Sequence, residues 1–319
     1  IFRDLVAISD VVMENYSTRV MGNFGLEYDA LRNVRPDIVM ISMPAFGRTG
    51  PEKDYIGQGS NLTPLAGMVA VTGYQDSGPQ QIGAYTDPVT GVSAVGAVMA
   101  ALLYRQKTGR GQYIDLAQRE VSARFIGEAV LDHGLNGRIG GPQGNRQAGM
   151  APHGCYPSKG EDEWVAIAVS SDQQWLDLCS VTGHPEWADD PRFSISSERL
   201  NNQDELDHLI AGWTQQRDKY EIMPLLQQAD IACGPVLTAG DLVDRDPHME
   251  ARGFFWKTSV PDAPDLGVHS IPGALWKFSK TPATLRSPAP RPATAVISRP
   301  AAAPIMAVSQ AARWRSRAR

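Results

Sequence analysis

An α/β fold, with a parallel sheet in a larger domain and a smaller α+β domain after it, is predicted by three features of this 319-residue chain. Short β-rich runs alternate with helical patterns in the first third, a helix-period stretch rich in small residues follows Asp87, and Gly, Pro and Arg crowd residues 136–157 before a second set of elements begins. Strands alternating with helices at this spacing make βαβ units, whose strands run parallel and are covered by helices.

The elements follow in order. Residues 10–14 and 37–42 read as strands, with a helix over 28–34 between them and a loop over 44–51 after the second. On such sheets ligands sit beyond the carboxyl ends of the strands, which here are Glu14-Asn-Tyr16 and Met43-Pro-Ala-Phe-Gly47. A helix over 61–71 and a Gly/Pro/Gln loop over 73–83 lead to the helix after Asp87. Its packing face is expected to be Val92, Val95, Gly96, Met99, Ala100 and Leu103, and Gly109 ends it. A strand over 112–116 and a helix to Leu131 complete the larger domain, residues 1–135. Residues 136–157 are read as a linker. Residues 158–252 form the small domain, with a strand over 164–169 and helices over 172–183, 202–214 and 221–229, the first begun by an Asp cap. Residues 253–290, with Phe254, Phe255, Trp256 and Trp276, are expected to return as strands to the core of the large domain. The Ala/Pro/Arg-rich segment 291–319 is read as a disordered basic tail.

Charge and composition exclude several roles. Residues 286–319 hold seven arginines and no acid, so a net charge of −5 leaves −12 on the rest, which argues against phosphate-backbone binding and a nucleic-acid partner. The three cysteines, Cys155, Cys179 and Cys233, fit neither a disulfide framework nor a zinc site and point to a reducing, cytoplasmic setting. No apolar run is expected to approach the roughly 20 residues that span a bilayer. Walker, GxSxG and HExxH motifs are missing, and Gly57-Gln-Gly59 starts a dinucleotide fingerprint without its third glycine. The six histidines show no ligand spacing, and only His153, in the linker, is singled out; no metal is expected.

Asp87 has two compatible readings. An Asp followed by Pro starts a helix well, the cap contributing about 1 kcal/mol. An ionised carboxylate at a helix start can also attack an activated acyl group.

Several ordered blocks carry a resemblance. Asp87-Pro-Val-Thr-Gly91, the small-residue helix, Arg105-Gln-Lys-Thr-Gly-Arg-Gly-Gln112 and Ile114-Asp115 resemble the central signature of the class III CoA-transferases, the family of formyl-CoA transferase and crotonobetainyl-CoA:carnitine CoA-transferase. Asp10-Val-Val-Met-Glu-Asn-Tyr16, Asn33-Val-Arg-Pro-Asp37 and Ala45-Phe-Gly-Arg-Thr-Gly-Pro51 resemble its earlier blocks. Cys233-Gly-Pro-Val236, Asp246-Pro-His248 and Arg252-Gly-Phe254 resemble its later ones. The likeness runs from about Asp10 to Pro290.

The resemblance implies a Rossmann-like large domain and an interlocked homodimer. It implies that Asp87 is the acyl-accepting aspartate, which passes coenzyme A from an acyl-CoA donor to a small carboxylic acid through a mixed anhydride and an aspartyl-CoA thioester. Asn15, Tyr16 and Ser17 match the family's CoA-holding strand end, and Gln58, Gly59 and Ser60 match a second contact segment near the thiol. Pro152, His153 and Tyr156 are candidates for the substrate pocket. Coenzyme A enters as co-substrate, with no membrane partner.

The departures carry their own expectations. The family's N-terminal strand and CoA loop have no counterpart before Ile1, Asn23 stands where some members have a phosphate-binding arginine, and the likeness stops beyond Pro290. A partial or frame-shifted reading of a longer gene is expected on that ground, which leaves an inactive CoA-binding fragment as one alternative. The other is an α-methylacyl-CoA racemase, which needs two bases; Gln58, which cannot titrate, stands where the racemases place a histidine.

Overall fold

A computed structural model describes residues 1–83, 85–260 and 267–287. Among these residues there are two compact units, Ile1–Gly144 and the described part of Asn145–Arg299. The expected tail, 291–319, lies outside the described residues.

In the first unit the chain runs through α1 (Phe2–Ala7), β1 (Val11–Glu14), α2 (Arg19–Asn23), α3 (Tyr28–Arg32), β2 (Val39–Ser42), α4 (Gly59–Leu65), α5 (Thr86–Thr108), β3 (Tyr113–Asp115), α6 (Gln118–Ala123) and α7 (Gly127–Asn136). The strands form a parallel sheet in the order β1-β2-β3. Helices separate β1 from β2 and β2 from β3, as crossovers between parallel strands require. All four residues of the central strand β2 are buried, the condition of a parallel strand covered on both faces. Alternation along the strand sends Met40 to one side, against Val6, Val12, Met21 and Leu31, and Ile41 to the other, against Ala94 and Val98 of α5.

The buried face of α5 differs from the expected one. Thr86, Thr90, Ala94, Val98 and Ala101, three or four residues apart, are buried, while Val92, Val95, Met99 and Leu103 are exposed. Small side chains let the helix lie close on the sheet, and the bulkier apolar residues are left on its outer side. The same composition makes this 23-residue helix long and apolar enough to cross a bilayer by length and composition alone. That corrects the expectation that no run comes near such a length.

At the amino end of the strands an ionic cluster joins three segments. Arg35 donates to Ser9 O at 2.6 Å, Asp10 Oδ1 at 2.9 Å and Asp37 Oδ1 at 3.0 Å. Arg105, from the last turn of α5, donates to the same Asp10 Oδ1 at 2.9 Å and to Asp10 O at 3.2 Å. Both arginines are largely covered, with side-chain exposures of 22% and 18%.

In the second unit β4 (His153–Pro157), β5 (Trp164–Ala168) and β6 (Ala232–Pro235) form an antiparallel sheet in that order. The helices are α8 (Asp172–Thr182), α9 (Glu186–Asp189), α10 (Ser196–Asn201), α11 (Gln203–Thr214), α12 (Lys219–Gln227) and α13 (Pro247–Arg252). Trp175, Phe193, Leu206, Ile210, Ile222 and Leu226 form the core with Val165 and Ile167 of β5. The last five residues of the expected linker are β4. Ser171, not Asp172, caps α8, by accepting from Gln174 N–H at 3.2 Å. Asp172 instead accepts from the buried Arg199 guanidinium at 2.7 Å, which also donates to Ala151 O and Phe193 O. The segment expected to return to the large domain holds β7 (Phe255–Ser259) and β8 (Val268–Pro272), an antiparallel pair that falls in the second unit.

The Arg35 hydrogen bond, with the field of Arg35 and Arg105, holds the Asp37 carboxyl below its ordinary value, against a smaller opposing effect of burial. A depressed folded value means that its stabilisation is present above the unfolded value and is lost as pH falls through the folded one. The Asp37 side chain is 38% exposed, so screening limits the effect. Asp37→Asn is expected to cost up to about 1 kcal/mol at pH 7. The gap from the parent should narrow below about pH 4, as read by urea denaturation at pH 7 and pH 3.5.

Candidate functional site

At the carboxyl ends of the parallel strands, register places three polar residues in a row: Glu14 pairs with Ser42, and Ser42 with Asp115. Glu14 is buried, and its Oε2 accepts the Tyr16 N–H at 2.8 Å, turning the chain as it leaves β1. Burial pushes the Glu14 carboxyl above its ordinary range, although Ser42, the Tyr16 amide and Arg48 pull the other way. Asp115 accepts the Arg48 N–H on both oxygens, at 3.1 and 3.0 Å, which shapes the loop after β2. The buried Thr18 hydroxyl bonds Asp54 Oδ1 at 2.8 Å, with Lys53 O at 3.2 Å, and so ties the exit from β1 to the approach to α4.

The start of α4 lies against Asp87. A Cβ built on Gly59 would stand 3.0 Å from Asp87 Oδ2 and 3.2 Å from Cγ and Oδ1. The lack of a side chain at 59 is what admits the carboxylate. Gly57 is constrained in the same way from the other side, since a Cβ there would fall 2.3 Å from Ala45 Cβ. Asn61 Oδ1 accepts the Gln58 N–H at 2.6 Å, which fixes the helix entry.

Asp87 is the second residue of α5 and is exposed; no side-chain cap is present at the helix start. The expected capping role is therefore corrected: the helix begins at Thr86, and no hydrogen bond or ion pair to the Asp87 carboxylate is found among the described residues. Pro88 falls in the first turn, where its missing N–H has no partner to lose. An exposed carboxylate of this kind keeps its lone pairs for a ligand.

The other expected residues fall in two groups. Asn15 and Ser17 are exposed and Tyr16 half-buried at the end of β1, while Gln58 and Ser60 are exposed beside the buried Gly59. All belong to the first unit with Asp87, and Gly59 lies against its carboxylate. Pro152, His153 and Tyr156 belong to the second unit. His153 Nδ1 lies 2.6 Å from Asn145 O, Pro152 is buried, and Tyr156 is buried with its hydroxyl donating to Asp207 at 2.8 Å. Burial pushes the Cys179 and Cys233 thiols up to about 12, so neither is a thiolate at neutral pH, while Cys155 is exposed. Among the described residues no three metal-ligating side chains assemble.

Sequence reading missed Glu14 as a site residue. Its parity was the available signal, because Glu14 shares the inward side of β1 with Val12, and a carboxylate at an inward strand position needs a partner.

The sequence matches the description "CoA-transferase family III" over residues 1–294. The chain belongs to that family. It is 32% identical over 87% of its length, and 68% of the relative's, to the succinyl-CoA–D-citramalate CoA-transferase of Chloroflexus aurantiacus. With the succinate–glutarate CoA-transferase of Agrobacterium fabrum the identity is 28% over 91% of this chain and 71% of the relative. Its fold matches the crystal structure of a CAIB/BAIF family protein from Brucella suis with a TM-score of 0.78 and 29% identity, covering 91% of this chain and 75% of that one. The chain is thus a CoA-transferase by class, with a mixed α/β fold built on a parallel sheet.

The Gly59 contact gives a test that separates folding from chemistry. Gly59 has ordinary helical backbone, so alanine there suits the helix and is expected to keep or raise the melting temperature, helix propensity favouring it by up to about 1 kcal/mol. The added methyl must push the Asp87 carboxylate aside, and, on the role proposed for Asp87 below, CoA-transfer turnover of Gly59→Ala is expected to fall by about tenfold or more. Steady-state kinetics beside thermal unfolding reads both.

Proposed function

We propose that this CoA-transferase moves coenzyme A from an acyl-CoA donor to a free carboxylic acid, with Asp87 as the nucleophile that carries the acyl group and then the CoA. The observation that carries the reading is the Asp87 carboxylate itself: exposed, outside any cap or ion pair among the described residues, and seated against the one residue of α4 that has no side chain.

In the first step an Asp87 oxygen attacks the thioester carbonyl, the C–S bond breaks, and CoA leaves as thiolate. The product is a mixed anhydride, which conserves the activation that hydrolysis would lose. The thiolate attacks the aspartyl carbonyl, the donor acid departs as carboxylate, and an aspartyl-CoA thioester remains. The acceptor carboxylate attacks that thioester and again expels thiolate, leaving an anhydride between Asp87 and the acceptor. Attack of the thiolate on the acceptor carbonyl releases the new acyl-CoA and restores Asp87. No net proton is consumed, so the site needs positioning more than a general acid. Racemisation would need a second base, and Gln58 beside Gly59 cannot supply one.

Asn15, Tyr16 and Ser17 are assigned to the CoA chain, because Glu14 fixes their turn from inside the sheet. Gln58, Gly59 and Ser60 are assigned to the segment beside the thioester, because Gly59 touches the nucleophile. The segment around His153 is assigned to the acceptor acid on resemblance alone. The exposed stripe of Val92, Val95, Met99 and Leu103 supports a homodimer, since apolar surface of this extent on one helix calls for a cover. Three unpaired thiols fit a cytoplasmic setting.

The test is trapping. Incubation with succinyl-CoA and hydroxylamine, followed by peptide mass mapping, is expected to show a hydroxamate at Asp87 that Asp87→Asn does not form. Consumption of the acyl-CoA without an adduct at that residue would overturn the assignment.

A further inference from the structure

Three hydroxyls meet behind the nucleophile: Thr63 of α4, Thr86 at the start of α5 and Ser122 of α6, each with no exposed surface. Thr63 Oγ1 donates to Gly59 O at 2.8 Å, Thr63 and Thr86 Oγ1 are 3.0 Å apart, and Ser122 Oγ donates to Thr86 Oγ1 at 3.0 Å. A hydroxyl has one proton to give. The Gly59 carbonyl has none, so the Thr63 proton is committed to it, and the Thr63 oxygen must accept. Thr86 therefore donates to Thr63 and accepts from Ser122. The chain has one direction, Ser122 to Thr86 to Thr63 to Gly59 O, and buried bonds in such a series strengthen one another.

Two links of this chain adjoin the Asp87–Gly59 contact. Thr86 is covalently next to Asp87, and the final acceptor is the backbone of the residue against which the Asp87 carboxylate rests. Ser122 brings in α6, whose first turn is itself held by the loop after β2, through Gln118 N–H to Pro44 O at 3.1 Å and Arg119 N–H to Ala45 O at 3.0 Å. Threonine and serine are poor choices for packing alone at three fully buried positions, where valine and alanine would fill the space without polar atoms to satisfy.

We propose that Ser122, Thr86 and Thr63 are positioning residues: their hydroxyl chain fixes the first turn of α5 against Gly59 and so sets where the Asp87 carboxylate stands in the reaction. The inference rests on the nucleophile reading above for its kinetic consequence, but not for its structural one.

The test compares Thr86→Val, which keeps the shape and loses the hydroxyl, with Thr86→Ser, which keeps the hydroxyl and loses a methyl. Thr86→Val is expected to lower kcat by about tenfold or more with KM for acyl-CoA within about twofold, and Thr86→Ser to restore kcat to within about threefold of the parent. Crystal structures of the two variants should show the carboxylate against Gly59 in Thr86→Ser and displaced in Thr86→Val. A Thr86→Val enzyme with parental kcat, or a Thr86→Ser enzyme as impaired as Thr86→Val, overturns the proposal, the second outcome because packing by the methyl would then be what matters. Should Thr86→Val not fold, Ser122→Ala removes only the outermost donor and is read in the same way, with an expected loss in kcat of about threefold and with parental kcat overturning the proposal. If the parent forms no Asp87 hydroxamate, the nucleophile reading fails by itself. The crystal structures then decide the positioning, and an unmoved Asp87 in Thr86→Val overturns it.

Discussion

The first unit depends on the burial of β2 from both sides. Four consecutive residues with no access to water demand a helical layer on each face, and they demand that the neighbouring strands take up the backbone hydrogen bonds of the strand in register. Met40 and Ile41 send their side chains into separate cores, one formed with α1 to α3 and the other with α5. Truncating either side chain to alanine would remove about 2–5 kcal/mol. Because the core holds the strands in register, their carboxyl ends are level, and Glu14, Ser42 and Asp115 form a row.

The two ends of that sheet use charge differently. At the amino end, Arg35 and Arg105 share Asp10 and Asp37 in a cluster with matched signs and many donors, a holding arrangement. At the carboxyl end, Glu14 and Asp115 are spent on backbone amides, of Tyr16 and Arg48, so their charge shapes loops. Much of the family signature lies at the holding end. Arg35 and Asp37 of Asn33-Val-Arg-Pro-Asp37, and Arg105 of the later block, hold the scaffold in place. A motif can therefore report the family faithfully while saying little about the site.

This division explains what could be read in the sequence. Strands and long helices were legible because periodicity and turn residues are local: β1, β2, β3, α5, α8, α11 and α12 fall within or close to the expected segments. The buried face of α5 was not, because large apolar residues are the usual sign of a core, whereas close approach to a sheet selects Thr90, Ala94 and Ala101 and leaves Val92, Met99 and Leu103 outside. The Asp87 cap failed by two residues at the helix start, where propensity rules have least resolution. The hydroxyl chain was beyond reach, since its members are 23 and 36 residues apart and each alone is an ordinary Ser or Thr.

What remains is how a carboxylate can be held still and yet left free to react. An arginine partner would fix it but occupy the lone pairs that must attack, and it would lower the basicity on which nucleophilicity rests. Here the constraint reaches Asp87 through the main chain. A 23-residue helix carries it, with one end tied by Arg105 to the amino ends of the strands and the other tied by Thr86 to α4 and α6. From Thr86 to Arg105 that rod is roughly 28 Å long at the rise of an α-helix. Gly59 then limits the carboxylate by contact alone, which restricts its position without consuming a hydrogen bond. In the proposed mechanism, a nucleophile placed in this way would take its order from the sheet core and the buried hydroxyls and keep its oxygens available for the substrate.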